Sequence, residues 1–230
     1  MNTRIFKIAL VFVIALNFSC KPNEAKLPDF KYADQPDAVT CKSGYDDLIK
    51  EALYAFENDI VNKYDQKSKN KLRAYRAYIN NIISNRTELE KTVTPHTKAI
   101  FDALKTKTDL WDGDQLNYNS AVIKCITENM KDVPLKQTLN ALISTNSMSS
   151  ELFAAPLRSS TSYSRDTNLA TFIALDLYYS KFNTVDFSNV DLTANIAKDL
   201  PVNIKNQPIK PSLKQKQPVQ ADDHAGHGHD

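Results

Sequence analysis

The sequence predicts an all-α fold: a bundle of about six helices with an extended N-terminal tether and a disordered C-terminal tail. Three observations carry this prediction. Glycine is scarce, with four in 230 residues and only Gly44 and Gly113 before the last five positions, whereas strand–turn–strand folds draw on turn glycines. Apolar residues recur at three- and four-residue steps, the period of one helix face. Residues 41–192 are also numerous enough to close a single core. The chain therefore divides into a leader (1–19), a tether (20–40), a helical domain (41–192) and a flexible tail (193–230).

The elements follow in order. Residues 21–40, KPNEAKLPDFKYADQPDAVT, hold three prolines and no periodic apolar pattern, and read as the tether. Ser43 and Asp46 form a capping box ahead of Tyr45, Leu48, Ala52 or Leu53, Phe56, Ile60 and Tyr64. Leu72, Tyr75, Ile79, Ile82 and Ile83 continue the period. A polar turn at residues 65–68 is expected between the two stretches, because one helix of roughly 40 residues needs a partner along its whole length. Thr94 and Pro95 open a third helix with the face Ile100, Ala103, Leu104 and Trp111, closed by Gly113. Asn119 caps a fourth that carries Val122, Cys125, Ile126 and Met130. DVPLKQTLNALIS starts a fifth, with Leu135, Leu139, Leu142 and Ile143 on one face. A serine-rich loop leads to the last helix, in RDTNLATFIALDLYYSKF. From Pro201 the chain is rich in Pro, Lys and Gln without a periodic face, a composition that stays disordered.

The leader is read separately. Arg4 and Lys7 precede an apolar run over residues 8–16. That run is shorter than the roughly 20 residues a spanning helix needs, and its basic flank suits a secretory segment that is later removed. Asn17, Phe18 and Ser19 lead into Cys20. This NFSC junction resembles the lipobox of bacterial lipoproteins, with Asn17 where that pattern carries an aliphatic residue. The resemblance implies cleavage before Cys20 and acylation of it, with palmitate as a representative chain. Lys21 follows with no aspartate beside it, which resembles lipoproteins of the outer membrane, facing the periplasm or the cell surface. Each buried methylene contributes about 0.8 kcal/mol, so two or three chains on one residue hold a protein at a membrane without a spanning helix.

Charge follows from the same cut. The chain has 29 basic and 27 acidic residues; removing Arg4 and Lys7 with the leader leaves 27 of each. A neutral mature chain argues against nucleic acid as a partner. The basic stretch KSKNKLRAYRAY (67–78) reads as a solvated helix face with its tyrosines turned inward, or as a patch for anionic lipid or glycan. If Cys20 is acylated, Cys41 and Cys125 remain, and an oxidising compartment favours a disulfide between them.

Few motifs carry chemistry. DLWDGDQLNYN (109–119) fails as a calcium loop, because a start at Asp112 puts Leu116 at the fifth position and no glycine at the sixth. Asp176 shares its helix side with Leu169, Phe172, Ile173 and Tyr179. A carboxylate there needs a partner, so it reads either as a structural acid meeting an Arg, Lys or Tyr hydroxyl, or as a ligand-facing acid in an interhelical pocket; Arg165 lies on nearly the same azimuth. His96, alone in the body, is expected to be exposed in a first helical turn. Nothing matches GxSxG, HExxH or a Gly-rich phosphate loop, so an enzyme is not the expectation. The tail ends in His224, His227 and His229 among Asp222, Asp223 and Asp230, ligand types that suit Zn, Cu or Ni. The sequence thus leads to a lipid-anchored helical module of the cell envelope that binds a protein partner or a small ligand. The alternative is metal capture or trafficking by the tail.

Overall fold

The computed structural model describes residues 27–198, 200–202 and 204. Among them are seven α-helices: α1 (Asp46–Tyr64), α2 (Lys71–Ile83), α3 (Pro95–Lys105), α4 (Ala121–Glu128), α5 (Val133–Ser144), α6 (Ser150–Ser159) and α7 (Thr167–Ile173). The all-α class holds. The exception is a short antiparallel hairpin, β1 (Trp111–Asp112) with β2 (Gln115–Leu116), pairing Trp111 with Leu116. None of these helices is long and apolar enough to cross a membrane.

Helix α1 is the axis of the fold. It packs against α2, α3, α7 and the turn that follows α7, and Ile49, Ala52, Phe56, Ile60 and Val61 are fully buried in it. Helices α4, α5 and α6 form an outer row: α4 rests on α7, α5 on α4, and α6 on both α5 and α2. A polar turn separates α1 from α2, as the sequence implies. Lys69 takes positive φ there, Asp65 accepts the Asn70 amide at 2.8 Å, and Asn70 then caps α2 by accepting from Arg73 N–H.

Helix α7 changes pitch. Residues Ala174–Tyr178 continue it as a π-helical turn, and Tyr179–Thr184 finish in a 3-10 form. A wider turn leaves carbonyls without their ordinary helical donors, and side chains serve two of them: Tyr78 donates to Leu177 O at 2.6 Å, and Ser180 donates to Asp176 O. The turn also drives Tyr178, Tyr179 and Phe182 into the centre. Tyr178 and Phe182 have ring centroids 4.6 Å apart, and Phe56 meets Tyr178 at 5.0 Å.

Several boundaries differ from the sequence reading. Helix α3 ends at Lys105 rather than at Gly113, which instead takes φ +62° in the hairpin turn; Trp111 still points inward, donating from Nε1 to Leu104 O at 2.8 Å. Ser120, not Asn119, caps α4. The serine-rich stretch contains α6, capped by Ser149 and carrying Pro156 inside; Phe153 and Leu157, one helical turn apart, bury its inner face. Only half of the capping box forms. Asp46 accepts from Ser43 N–H, while the Ser43 hydroxyl oxygen accepts from Tyr45 N–H.

The packed body also reaches past residues 41 and 192. Tyr32, Ala38 and Val39 are buried in the core. Asn195 donates to Val93 O at 2.8 Å, and Lys198 O accepts from Asn58 and Asn62. These segments dock largely through backbone groups that helix side chains hold, a mode that leaves no periodic signature. Cys41 and Cys125 are joined, with sulfurs 2.11 Å and Cα atoms 5.7 Å apart. The chain ahead of α1 is thereby tied to α4.

Candidate functional site

Because nearly all of residues 48–61 of α1 are buried, the acids among them find partners in the neighbouring elements. Glu51, fully buried, accepts Lys31 N–H at 2.7 Å and Tyr32 N–H at 2.9 Å from the N-terminal segment, and meets His96 Nε2 of α3 at 2.6 Å. Glu57 accepts from the Tyr75 hydroxyl at 2.8 Å and pairs with Lys71 Nζ at 2.5 Å, both on α2. Asp59 accepts from Thr97 Oγ1 at 2.5 Å and the Tyr178 hydroxyl at 2.8 Å. Asn58 holds the C-terminal segment, accepting from Val202 N–H at 2.9 Å. Each bond is a buried or part-buried polar contact between elements, which fixes one packing arrangement over its alternatives.

His96 is therefore buried, at 9% exposure, and not exposed as its place in a first helical turn suggested. The N-terminal segment covers it, with the Tyr32 ring 6.4 Å from the imidazole. The tyrosines around these acids are pushed upward in pKa. Burial and then the Glu57 carboxylate raise Tyr75 well above its ordinary value; burial and then Asp59 do the same for Tyr178 and Tyr179.

Over the Glu57–Lys71 pair lies a cleft of about 530 Å³, bounded by α1, α2, the N-terminal segment and Pro201, Val202 and Ile204. Tyr32 and Tyr54 stack on one side with centroids 6.0 Å apart. Burial, then the charges of Glu57 and Asp37, push the Tyr54 hydroxyl up to about 12. The cleft offers aromatic faces and a neutralised charge pair, which suits holding a polar ligand.

Asp176 sits in the π-helical turn, 2% exposed, and accepts from the Tyr118 hydroxyl at 2.6 Å. It lines a cavity of about 260 Å³ with Tyr118, Ser180 and Lys181. A tyrosine hydroxyl is thus its partner, while Arg165 is exposed two residues ahead of α7. Among the described residues, no group of three or more His, Cys, Asp or Glu side chains is placed to hold a metal ion. Cys20 and the tail ligands Asp222, Asp223, His224, His227, His229 and Asp230 lie outside the described residues. Sequence reasoning missed the Glu51–His96 and Glu57–Lys71 contacts. Their signal was three acids, at positions 51, 57 and 59, within the stretch of α1 that carries the apolar period. Compared with protein-family models, curated proteins and solved structures, the chain finds no match, so its function is argued from this geometry.

Proposed function

We propose that this chain is a non-enzymatic binding or accessory module of the bacterial cell envelope, anchored at the outer membrane through lipid on Cys20. The observation that carries the reading is the Cys41–Cys125 pair at bonding distance, because disulfides persist in oxidising compartments outside the cytosol. It agrees with the basic, apolar leader that ends at a cysteine. The engagement of Glu51, Glu57 and Asp59 with neighbouring elements supports holding over turnover, since their oxygens are committed to packing. The test is metabolic labelling with palmitate followed by membrane fractionation. Label in the full chain that disappears in Cys20→Ser, together with release of that variant from the membrane, is the expected result. Equal labelling of both chains, or none in either, overturns the anchor.

The tail sequence HAGHGHD favours a second reading, metal capture. Because imidazole must be deprotonated to bind, affinity should weaken as pH falls through about 6.5. Titration of Zn, Cu or Ni against the full chain and one ending before Asp222 tests it. Equal, weak binding by both removes this reading.

A further inference from the structure

The cleft over the Glu57–Lys71 pair has a mixed lining. Tyr32 and Tyr54 bring aromatic rings to it, and Pro201, Val202 and Ile204 bring aliphatic surface. Its polar groups are the Glu57 carboxylate, the Lys71 ammonium and the side-chain amides of Gln35 and Asn58. Asn58 is occupied by the C-terminal segment, donating to Lys198 O and accepting from Val202 N–H. The other groups keep capacity. Glu57 is 2% exposed, and its contacts with the Tyr75 hydroxyl and with Lys71 Nζ both fall on Oε1. A carboxylate accepts at about four positions across its two oxygens, so Oε2 can still take a donor. Lys71 Nζ meets that one oxygen of Glu57 and carries further N–H groups. Gln35 is exposed.

These groups select by charge and by shape. A carboxylate and an ammonium 2.5 Å apart offset each other, so the pair favours neither an anion nor a cation. It matches two adjacent hydroxyls, because a hydroxyl both donates and accepts. One can donate to Glu57 Oε2 while its neighbour accepts from Lys71 Nζ, both charge-assisted bonds. Aromatic and prolyl surface beside such a pair suits a ligand with C–H groups on one face and hydroxyls along its edge. A sugar ring has that form. The cleft volume of about 530 Å³ falls within the roughly 300–1,000 Å³ typical of small-molecule sites and has room for two such rings.

We infer that this cleft binds a neutral disaccharide of hexopyranose rings, with a vicinal diol on Glu57 and Lys71, a ring face toward Tyr54, and Gln35 as a further hydrogen-bond partner. The inference rests on the reading of the folded body as a binding module and is independent of the anchor at Cys20. Calorimetric titration of the full chain carrying Cys20→Ser with cellobiose, maltose and diacetylchitobiose tests it. Erythritol, a polyol without a ring face, and alanine, a zwitterion, are the comparisons. At least one disaccharide is expected to saturate in the millimolar range or below, with no saturable heat from erythritol or alanine. Tyr54→Ala should weaken that disaccharide about tenfold, the upper end for an aromatic contact, while Tyr54→Phe keeps most of the affinity. Gln35→Ala should weaken it about fivefold, the loss of one neutral hydrogen bond. Glu57→Gln, which keeps an oxygen for Tyr75, should weaken it about tenfold, the loss of a charge-assisted bond. Each variant is checked for an unchanged circular dichroism spectrum. No saturable heat with any of the three disaccharides, equal binding of erythritol, or intact affinity in both folded Tyr54→Ala and Gln35→Ala overturns the assignment. Saturation by alanine alone also removes the sugar but keeps the binding module, and palmitate labelling of Cys20 is unaffected by any of these results, so the readings fail separately.

Discussion

Replacing Glu51 by alanine removes one acceptor from three donors at once: Lys31 N–H, Tyr32 N–H and His96 Nε2. Removing one partner of a buried, strongly hydrogen-bonded pair costs about 3–5 kcal/mol, and each buried donor left unsatisfied costs about 1–3 kcal/mol. Summed over the donors, the loss would rise beyond the lower of these figures, but the fold has an escape. The segment holding Tyr32 can swing off α1 and hand its amides to water. That release exposes Tyr32, Ala38 and Val39, at roughly 1.5–3 kcal/mol for each large side chain uncovered. Release therefore caps the loss, and Glu51→Ala is expected to lower the unfolding free energy by about 3–5 kcal/mol. Urea unfolding gives that figure, and hydrogen exchange reports loss of protection at Lys31 and Tyr32. A double-mutant cycle with His96→Ala should return a coupling of about 1–3 kcal/mol. A loss below about 1 kcal/mol with unchanged protection at both amides would refute the role given to Glu51.

Other outcomes follow from the same contacts. The Cys41–Cys125 link spans 84 positions, which in the chain-entropy model constrains the unfolded state by about 4–5 kcal/mol; the Cys41→Ser, Cys125→Ser double variant should lose much of this, and alkylation without reduction should leave both cysteines unmodified. Asp46 and Asp132 are both held below the usual carboxylate range: burial works to raise them, but hydrogen bonds from Ser43 and Lys42 at Asp46, and from Ser162, Leu135 and Ser160 at Asp132, outweigh it. Since the unfolded chain titrates near 3.9, the stability from these contacts is complete above about pH 4 and drains as pH falls through the lower folded values; Asp46→Asn and Asp132→Asn should flatten the acid decline of the thermal midpoint, and identical declines would count against the contacts. Asp176→Asn keeps an oxygen for the Tyr118 hydroxyl and removes a negative charge from the cavity that Lys181 also lines; the thermal midpoint should stay nearly intact, whereas a large drop in midpoint would make Asp176 structural.

What could be read in the sequence were the features governed by local rules. The helix period placed α1 and α2 and the turn between them, Thr94 and Pro95 marked the start of α3, and Asp132 with Pro134 marked the start of α5. The disulfide followed from cysteine arithmetic and the oxidising compartment expected from the leader. Features set by distant partners were not legible. Helix α6 was hidden by its serines and Pro156, because its two large anchors, Phe153 and Leu157, are too few to show a period. The π turn after Ile173 has no local signature; its carbonyls are served by Tyr78, 99 positions away, and by Ser180. Asp176 was singled out correctly as an acid on an apolar side, but its partner came from the loop ahead of α4. His96 was misplaced because the segment that buries it carries no periodic pattern.

The Cys41–Cys125 bond has a mechanical consequence. Tension applied to the chain ahead of residue 41 first loads the two N–H hydrogen bonds donated to Glu51 and the Lys50 contacts with Ala33 and Asp37. Those can peel one after another, as a zipper does. At Cys41 the pull meets a covalent stop, and force passes sideways into α4 rather than along α1. A protein held by its N-terminal end would thus yield over one short segment and transmit the remaining load to its outer row of helices.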